Sequence, residues 1–235
     1  MKCPNCGRPI GKSRQCTYCQ RQKQSFFRKN RRWLVPTLIA AVCVIAAVIL
    51  GILFLGGDDA PQTDAGQTAG KHHVEIELRD FGTISVELDA DAAPVTVENF
   101  MKLASEGFYD GLTFHRIQQG FMMQGGDPLG TGTGGSDKSI KGEFTANGVQ
   151  NPLSHTRGAI SMARSSAYDS ASSQFFICDA DATFLDGQYA CFGYVTDGMD
   201  VVDAVCAYAQ QVERDSNYVL GAADQPVITT VRVID

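Results

Sequence analysis

The sequence predicts a mainly β soluble domain, a closed eight-stranded antiparallel barrel capped by two α-helices, carried behind a transmembrane helix and a small zinc ribbon. Three observations predict it. Residues 34–55 form a run of 22 positions without a single charge. Two CxxC pairs stand within the first twenty residues. Beyond residue 72, short alternating runs separated by glycine-rich turns recur eight times, with two stretches of helical spacing among them.

The 235 residues are 44% apolar and 20% charged, which excludes a collagen-like, mucin-like or wholly disordered chain. The net charge of −6 conceals a split: residues 1–33 hold ten of the 20 Lys and Arg residues and no Asp or Glu. The rest carries ten basic against 26 acidic residues, a net charge of −16. Such an asymmetry implies two compartments or two partners.

Residues 1–24 read as a zinc ribbon. Cys3 and Cys6 form one CxxC pair and Cys16 and Cys19 the other. Each pair offers two thiolates to one ion, and the two complete the tetrahedron that zinc favours. With four protein ligands the ion is coordinatively closed, so its expected role is structural. The segment is similar to the short CPxCG…CxxC zinc ribbons that open many bacterial membrane proteins. Residues 25–33 form a basic juxtamembrane segment with Arg28, Lys29, Arg31 and Arg32.

Residues 34–55 are expected to span the bilayer, since 22 helical residues reach about 33 Å against a hydrocarbon core of about 30 Å. Pro36 falls in the first turn, where a missing N–H is tolerated, and Trp33 at the headgroup level. A secretory leader is the competing reading, but its apolar core is only about 7–15 residues long. The basic flank marks the cytoplasmic side. The expected location is therefore the cell membrane, single-pass, with the N-terminus cytoplasmic and residues 56–235 extracytoplasmic. Nucleic-acid binding is the other use of a basic run, and the adjoining apolar span disfavours it. Residues 56–71, rich in Gly, Ala, Asp, Thr and Gln, read as a flexible linker.

Residues 72–235 form the soluble domain. Alternation over 74–78 and 83–88 predicts two paired strands joined at Asp80-Phe81-Gly82. Pro94 opens a helix with Val97, Phe100, Met101 and Ala104 on one face and Gly107 past its end. Strand-like runs follow at 112–117, 121–124, 159–163, 174–178, 191–195 and 227–233, with a second helix over 199–209. Cys178, Cys191 and Cys206 lie in or beside apolar runs, where buried free thiols are expected, although an extracytoplasmic site leaves one disulfide open.

Several motifs then occur in order: VENF at 97–100, FHRI at 114–117, GFMMQGGD at 120–127, GTGG at 132–135, SMA at 161–163, SQFFI at 173–177 and FLDG at 184–187. Together they resemble the cyclophilin family of peptidyl-prolyl cis-trans isomerases, over about residues 72–235. The resemblance implies a barrel filled by its own side chains, a shallow groove on its outer face, and proline-containing polypeptides as substrates.

The chemistry needs neither nucleophile nor cofactor. An X–Pro amide isomerises over a resonance barrier of about 18–20 kcal/mol, and a catalyst must favour the twisted state over both planar ones. A fixed guanidinium can donate to the prolyl nitrogen, whose lone pair is freed only as the bond twists. The resemblance assigns this role to Arg116. It also places Phe121, Met122, Phe176 and Leu185 around the proline ring and Gln124 on the peptide carbonyl. Gln174, Phe184 and Tyr189 fall at further groove positions, and the backbone of Ala163 and Arg164 is placed against the substrate main chain. Phe114 and Phe175 are read as core. A non-catalytic peptide-binding module on the same scaffold is the alternative, and the presence of Arg116 with Phe121, Gln124 and Phe176 favours the enzyme.

Three positions depart from the best-known eukaryotic pattern: Phe184 for Trp, Tyr189 for His and Arg164 for Asn. Losing the indole N–H bears on cyclosporin binding more than on isomerisation. The GxGxxG spelled by 130–135 lacks the strand and helix a nucleotide site requires, and His115 and His155 lack a nucleophile elbow.

Overall fold

The structure, a computed structural model, describes residues 69–235. The expected zinc ribbon with Cys3, Cys6, Cys16 and Cys19, the basic segment, the expected membrane span and nearly all of the expected linker lie outside the described residues. Among the described residues, no helix is long and apolar enough to cross a membrane, and no His, Cys, Asp and Glu cluster could hold a metal.

Ten elements follow in order: β1 (Lys71–Leu78), β2 (Gly82–Asp89), α1 (Pro94–Ser105), β3 (Phe114–Gln118), β4 (Met122–Gly125), β5 (Ala159–Met162), β6 (Phe175–Cys178), β7 (Cys191–Asp197), α2 (Met199–Ala209) and β8 (Ile228–Val233). The strands form one curled antiparallel sheet in the order β3-β4-β6-β5-β7-β2-β1-β8. The expected closed barrel is corrected here to a half-barrel. Between the edge strands β3 and β8 there is no ladder, only an isolated bridge from Thr113 to Val227. It is flanked by Phe114 N–H donating to the Pro226 carbonyl at 2.9 Å and Ile228 N–H to the Leu112 carbonyl at 2.8 Å. Pro226 has no N–H to return on one side, and on the other Leu112 N–H turns to the Tyr109 carbonyl while Gly111 N–H takes the Ile228 carbonyl in its place, so the seam stays short of a regular ladder.

Alternation explains the core. In β1, Val74, Ile76 and Leu78 are buried while the residues between them are not. In β2, Ile84, Val86 and Leu88 do the same. Helix α1 adds Val97, Phe100, Leu103 and Ala104, and α2 adds Val201, Val202, Val205, Cys206 and Ala209 to the same cluster. The rings of Phe100, Tyr109, Phe114 and Phe175 interlock at centroid distances of 5.1 to 5.6 Å. Helix α1 carries no capping side chain of its own. The buried Glu143 supplies the cap from a distant loop, accepting from Val95 N–H at 3.1 Å and Thr96 N–H at 2.8 Å. Cys178, Cys191 and Cys206 are free and buried, as expected, and burial pushes each thiol up to about 12.

Candidate active site

A second apolar cluster lies on the sheet's outer face. Met122, Ala159, Phe176, Cys178, Ala182, Leu185 and Cys191 form it, with Phe121, Leu153, Ala163, Tyr189 and Tyr194 packed against it. The strands face both ways: Met123, Phe175 and Ile177 join the inner core while Met122, Phe176 and Cys178 face outward. Cross-strand register aligns the site. Arg116 on β3 opposes Gln124 on β4, Gln124 opposes Phe176 on β6, and Phe176 opposes Ser161 on β5.

Arg116 reaches this face through a bulge. Phe114 and Ile117 both point into the inner core although they are three residues apart. Strict alternation would put Arg116 on the same side as Phe114. The register of β3 against β4 shifts between Phe114 and Arg116, leaving His115 as the extra residue, and the shift turns Arg116 outward. His115 is fully buried, and neither ring nitrogen has a hydrogen-bond partner among the described residues. Burial lowers its pKa, the Asp127 charge opposing and that of Arg116 assisting.

The Arg116 guanidinium is held at two points. Its Nε donates to the Asn217 carbonyl at 3.0 Å and its Nη1 to Gln124 Oε1 at 3.2 Å. Because arginine can only donate, Gln124 must present its oxygen, so its Nε2 points on to Gln174 Oε1 at 2.8 Å. Gln174 Nε2 in turn donates to the Gly134 carbonyl at 2.7 Å. The chain of donors runs one way from Arg116 to Gly134. The second terminal nitrogen, Nη2, makes no hydrogen bond among the described residues. Burial lowers the guanidinium pKa against the pull of Tyr189, Asp215 and Tyr218, and arginine so placed stays charged.

Phe176 is fixed from behind. The His155 ring stacks on it at 6.0 Å, its Nε2 is 2.9 Å from Ser161 Oγ and its Nδ1 is 2.7 Å from Asp186 Oδ1. Burial lowers the His155 pKa despite Asp186, so the ring is neutral; it gives Nδ1–H to Asp186 and accepts the Ser161 hydroxyl. Tyr189 meets Phe176 edge-on at 6.1 Å. Leu185 and Phe184 come from a single helical turn, Thr183–Leu185. Leu185 is buried, whereas Phe184 is 67% exposed and lies beside the Phe121 ring at 5.6 Å.

Beyond Gln124 and Gln174 opens a pocket of about 210 Å³, lined also by Gly134, Ala163, Arg164 and Ser172. The Arg164 guanidinium sits 4.6 Å from the Tyr189 ring centroid, 5.1 Å from that of Tyr168 and 5.2 Å from that of Phe144. The backbone of Ala163 and Arg164, expected against the substrate main chain, borders this pocket. Ala163 N–H is spent on the Gln174 carbonyl at 2.9 Å, which leaves the Ala163 carbonyl and Arg164 N–H for a ligand. Residues 130–135 lie in a loop organised by the buried Asp127, which accepts from Leu129, Thr131 and Gly132 N–H, and they form no nucleotide cradle. Sequence reasoning missed the hydroxyls of Thr133, Ser165 and Ser170 around the pocket. It also missed the turn at 215–219 that holds Arg116. For the turn, Asp215 two places before Asn217 was the available signal.

Residues 73–233 match the family described as "Cyclophilin type peptidyl-prolyl cis-trans isomerase/CLD". The chain belongs to this family. The cyclophilin domain is 48% identical to a Helicobacter pylori peptidyl-prolyl cis-trans isomerase over 126 residues, 53% of this chain and 74% of that protein. It is 50% identical to Bacillus subtilis peptidyl-prolyl cis-trans isomerase B over 123 residues, 52% of this chain and 82% of the relative. Among solved structures, a Cryptosporidium parvum cyclophilin-type isomerase, crystallised in the presence of the dipeptide Ala-Pro, superposes with a TM-score of 0.61 at 28% identity. That match covers 69% of this chain and 99% of the other. The cyclophilin domain is thus a peptidyl-prolyl cis-trans isomerase, and its chemistry calls for no catalytic cofactor.

Proposed function

We propose that the protein is a membrane-anchored isomerase that speeds folding of proline-containing polypeptides outside the cytoplasmic membrane, with Arg116 supplying the transition-state contact. The observation that carries the catalytic part is the two-point fixing of Arg116 beside an outward-facing apolar seat. Nε and Nη1 are occupied, and Nη2 remains to meet the prolyl nitrogen. Phe121, Met122, Phe176 and Leu185 hold the proline ring. Gln124, oriented by Arg116 and Gln174, and the free Ala163 carbonyl and Arg164 N–H hold the peptide, while Phe184 and Tyr189 close the rim. Donation to the prolyl nitrogen strengthens only as the amide loses planarity, so the contact lowers the barrier without tightening either ground state.

The test is proline isomerisation by the full chain, wild type beside Arg116→Ala. Loss of turnover in a variant that still melts cooperatively is expected, at about 1.4 kcal/mol for each tenfold; full activity of the folded variant refutes the assignment.

Anchoring and location rest on the charge-free run 34–55 and its basic flank. Protease outside wall-stripped cells is expected to digest residues 72–235 and spare the basic segment; the reverse pattern puts the isomerase in the cytosol. The ribbon rests on the spacing of Cys3, Cys6, Cys16 and Cys19. The full chain is expected to hold one zinc, lost when Cys6 and Cys19 become serine; absence of metal under reducing conditions removes the ribbon.

A further inference from the structure

β3 is an edge strand, yet its free side is not open to solvent along its length. The segment before β8 folds back against it. Arg116 bridges to Val219, Ile117 N–H donates to the Tyr218 carbonyl at 3.1 Å, and Leu220 N–H donates to the His115 carbonyl at 2.9 Å. The turn at 215–219 is therefore docked on the backbone of Arg116 itself. The same turn aims the Asn217 carbonyl at Arg116 Nε, 3.0 Å away.

The turn holds a strained residue in place with its own hydrogen bonds. Tyr218 has φ +66°, the left-handed region that a bulky side chain rarely adopts. Two backbone bonds close the loop: Asp215 N–H to the Val219 carbonyl at 2.9 Å and Tyr218 N–H to the Asp215 carbonyl at 3.1 Å. The Asp215 side chain adds two more, and both end on one atom. Oδ1 accepts Asn217 N–H at 2.7 Å and Val219 N–H at 2.9 Å. The Asn217 carbonyl that holds the guanidinium shares its peptide plane with Tyr218 N–H, which the Asp215 backbone carbonyl accepts, and the Asp215 side chain fixes the peptide planes on either side of it through Asn217 N–H and Val219 N–H.

We propose that Asp215 is a positioning residue for the isomerisation, fixing the turn whose carbonyl sets the plane of the Arg116 guanidinium. The inference rests on the reading that Arg116 makes the transition-state contact. A guanidinium held only at Nη1 by Gln124 can swing about that bond, and the contact at 3.9 Å with the Met122 sulfur is too weak to stop it. Held at Nε as well, it has one plane and one direction for Nη2. Asp215 is exposed, so its charge is largely screened and its effect travels through the hydrogen bonds.

The two bonds on a single oxygen allow a clean test. Asp215→Asn keeps an acceptor at Oδ1 and drops the charge; Asp215→Ala removes the acceptor. In the full chain, Asp215→Ala is expected to lower kcat on the order of tenfold with little change in KM, because a misaimed group is missed chiefly in the transition state. The Arg116 Nε–H resonance is expected to exchange faster with water in the same variant. Asp215→Asn is expected to recover both to within about twofold of wild type. If Asp215→Ala keeps slow Nε–H exchange, or if Asp215→Asn is as impaired as Asp215→Ala, the latch is overturned. Fast Nε–H exchange with full turnover would overturn the positioning role as well, whereas full turnover of a folded Arg116→Ala variant would refute the role of Arg116 itself. A cooperative thermal transition in each variant separates these outcomes from misfolding.

Discussion

Gln174→Glu tests the one-way hydrogen-bond chain that orients the site. Gln174 sits between two demands: its Oε1 accepts from Gln124 at 2.8 Å, and its Nε2 donates to the Gly134 carbonyl at 2.7 Å. A carboxylate meets the first and fails the second, setting two acceptors face to face. An unsatisfied buried acceptor costs about 1–3 kcal/mol. Gln174 lines an open pocket that water reaches, so the lower part of that range, about 1–2 kcal/mol, is expected at neutral pH. A protonated carboxyl has an O–H and restores the donor to Gly134. The folded state thus raises the pKa of the new Glu by about one unit per 1.36 kcal/mol, from about 4.3 towards 5 or 6. Between those values the folded variant binds more protons than the unfolded chain, so its deficit is absent below about pH 4.3 and complete above the folded pKa. Urea unfolding midpoints of wild type and variant at pH 4.5 and 7.5 measure this. The gap between the two proteins should be about 1–2 kcal/mol at pH 7.5 and close towards pH 4.5. No gap at pH 7.5, or one that persists in acid, would mean that Gln174 does not donate to Gly134.

Two further outcomes follow from the same geometry. His115 and His155 are buried with lowered pKa values; below about pH 6.5 the unfolded chain binds more protons than the folded one, so stability should fall as pH drops through 6. His115→Leu should flatten that slope in urea titrations, and an unaltered slope would exonerate His115. Phe184 is 67% exposed beside Phe121 and offers no N–H, so Phe184→Trp should tighten inhibition by cyclosporin by about 1–3 kcal/mol, read as inhibition constants, while changing turnover much less; equal inhibition of both proteins refutes the single-donor account.

What was legible in the sequence was whatever periodicity encodes. Strands β1 and β2 follow alternation because one face of each is buried, and α2 matches 199–209 because its apolar face and Gly198 mark both length and start. The motif residues Arg116, Gln124, Phe176 and Ser161 share one cross-strand row, which their spacing along the chain conceals and only strand register reveals. The open seam was not legible, because it depends on Pro226 meeting Phe114, and Ile228 meeting Leu112, across the molecule. The turn at Asp215 carried a local signal in Asp215 and Asn217, but its hold on Arg116 was not legible, since residues 210–221 have no apolar period and act through a backbone carbonyl, which no side-chain pattern records. The serine-rich pocket wall likewise reads as ordinary loop.

The site depends on the sheet being buried on both faces. All four residues of β6, Phe175 to Cys178, are buried, the odd ones in the inner core and the even ones under the loops that carry Leu153, Ala182 and Leu185. A proline seat built this way rests on strand backbone, so Met122 and Phe176 have little freedom to shift when a substrate twists. Arg116 has no such floor, for it stands on an edge strand whose neighbours Phe114 and Ile117 both belong inside. Three devices supply what the sheet does not: the bulge at His115 turns the side chain outward, Gln124 takes one nitrogen, and the Asn217 carbonyl takes another. Without the bulge, alternation would direct the guanidinium into the core beside Phe114, where an unpaired charge costs several kcal/mol. The unpartnered, buried His115 is the local cost of that geometry. A lone buried imidazole directly before a groove-facing arginine thus marks where the strand gives up its alternation to place a charge.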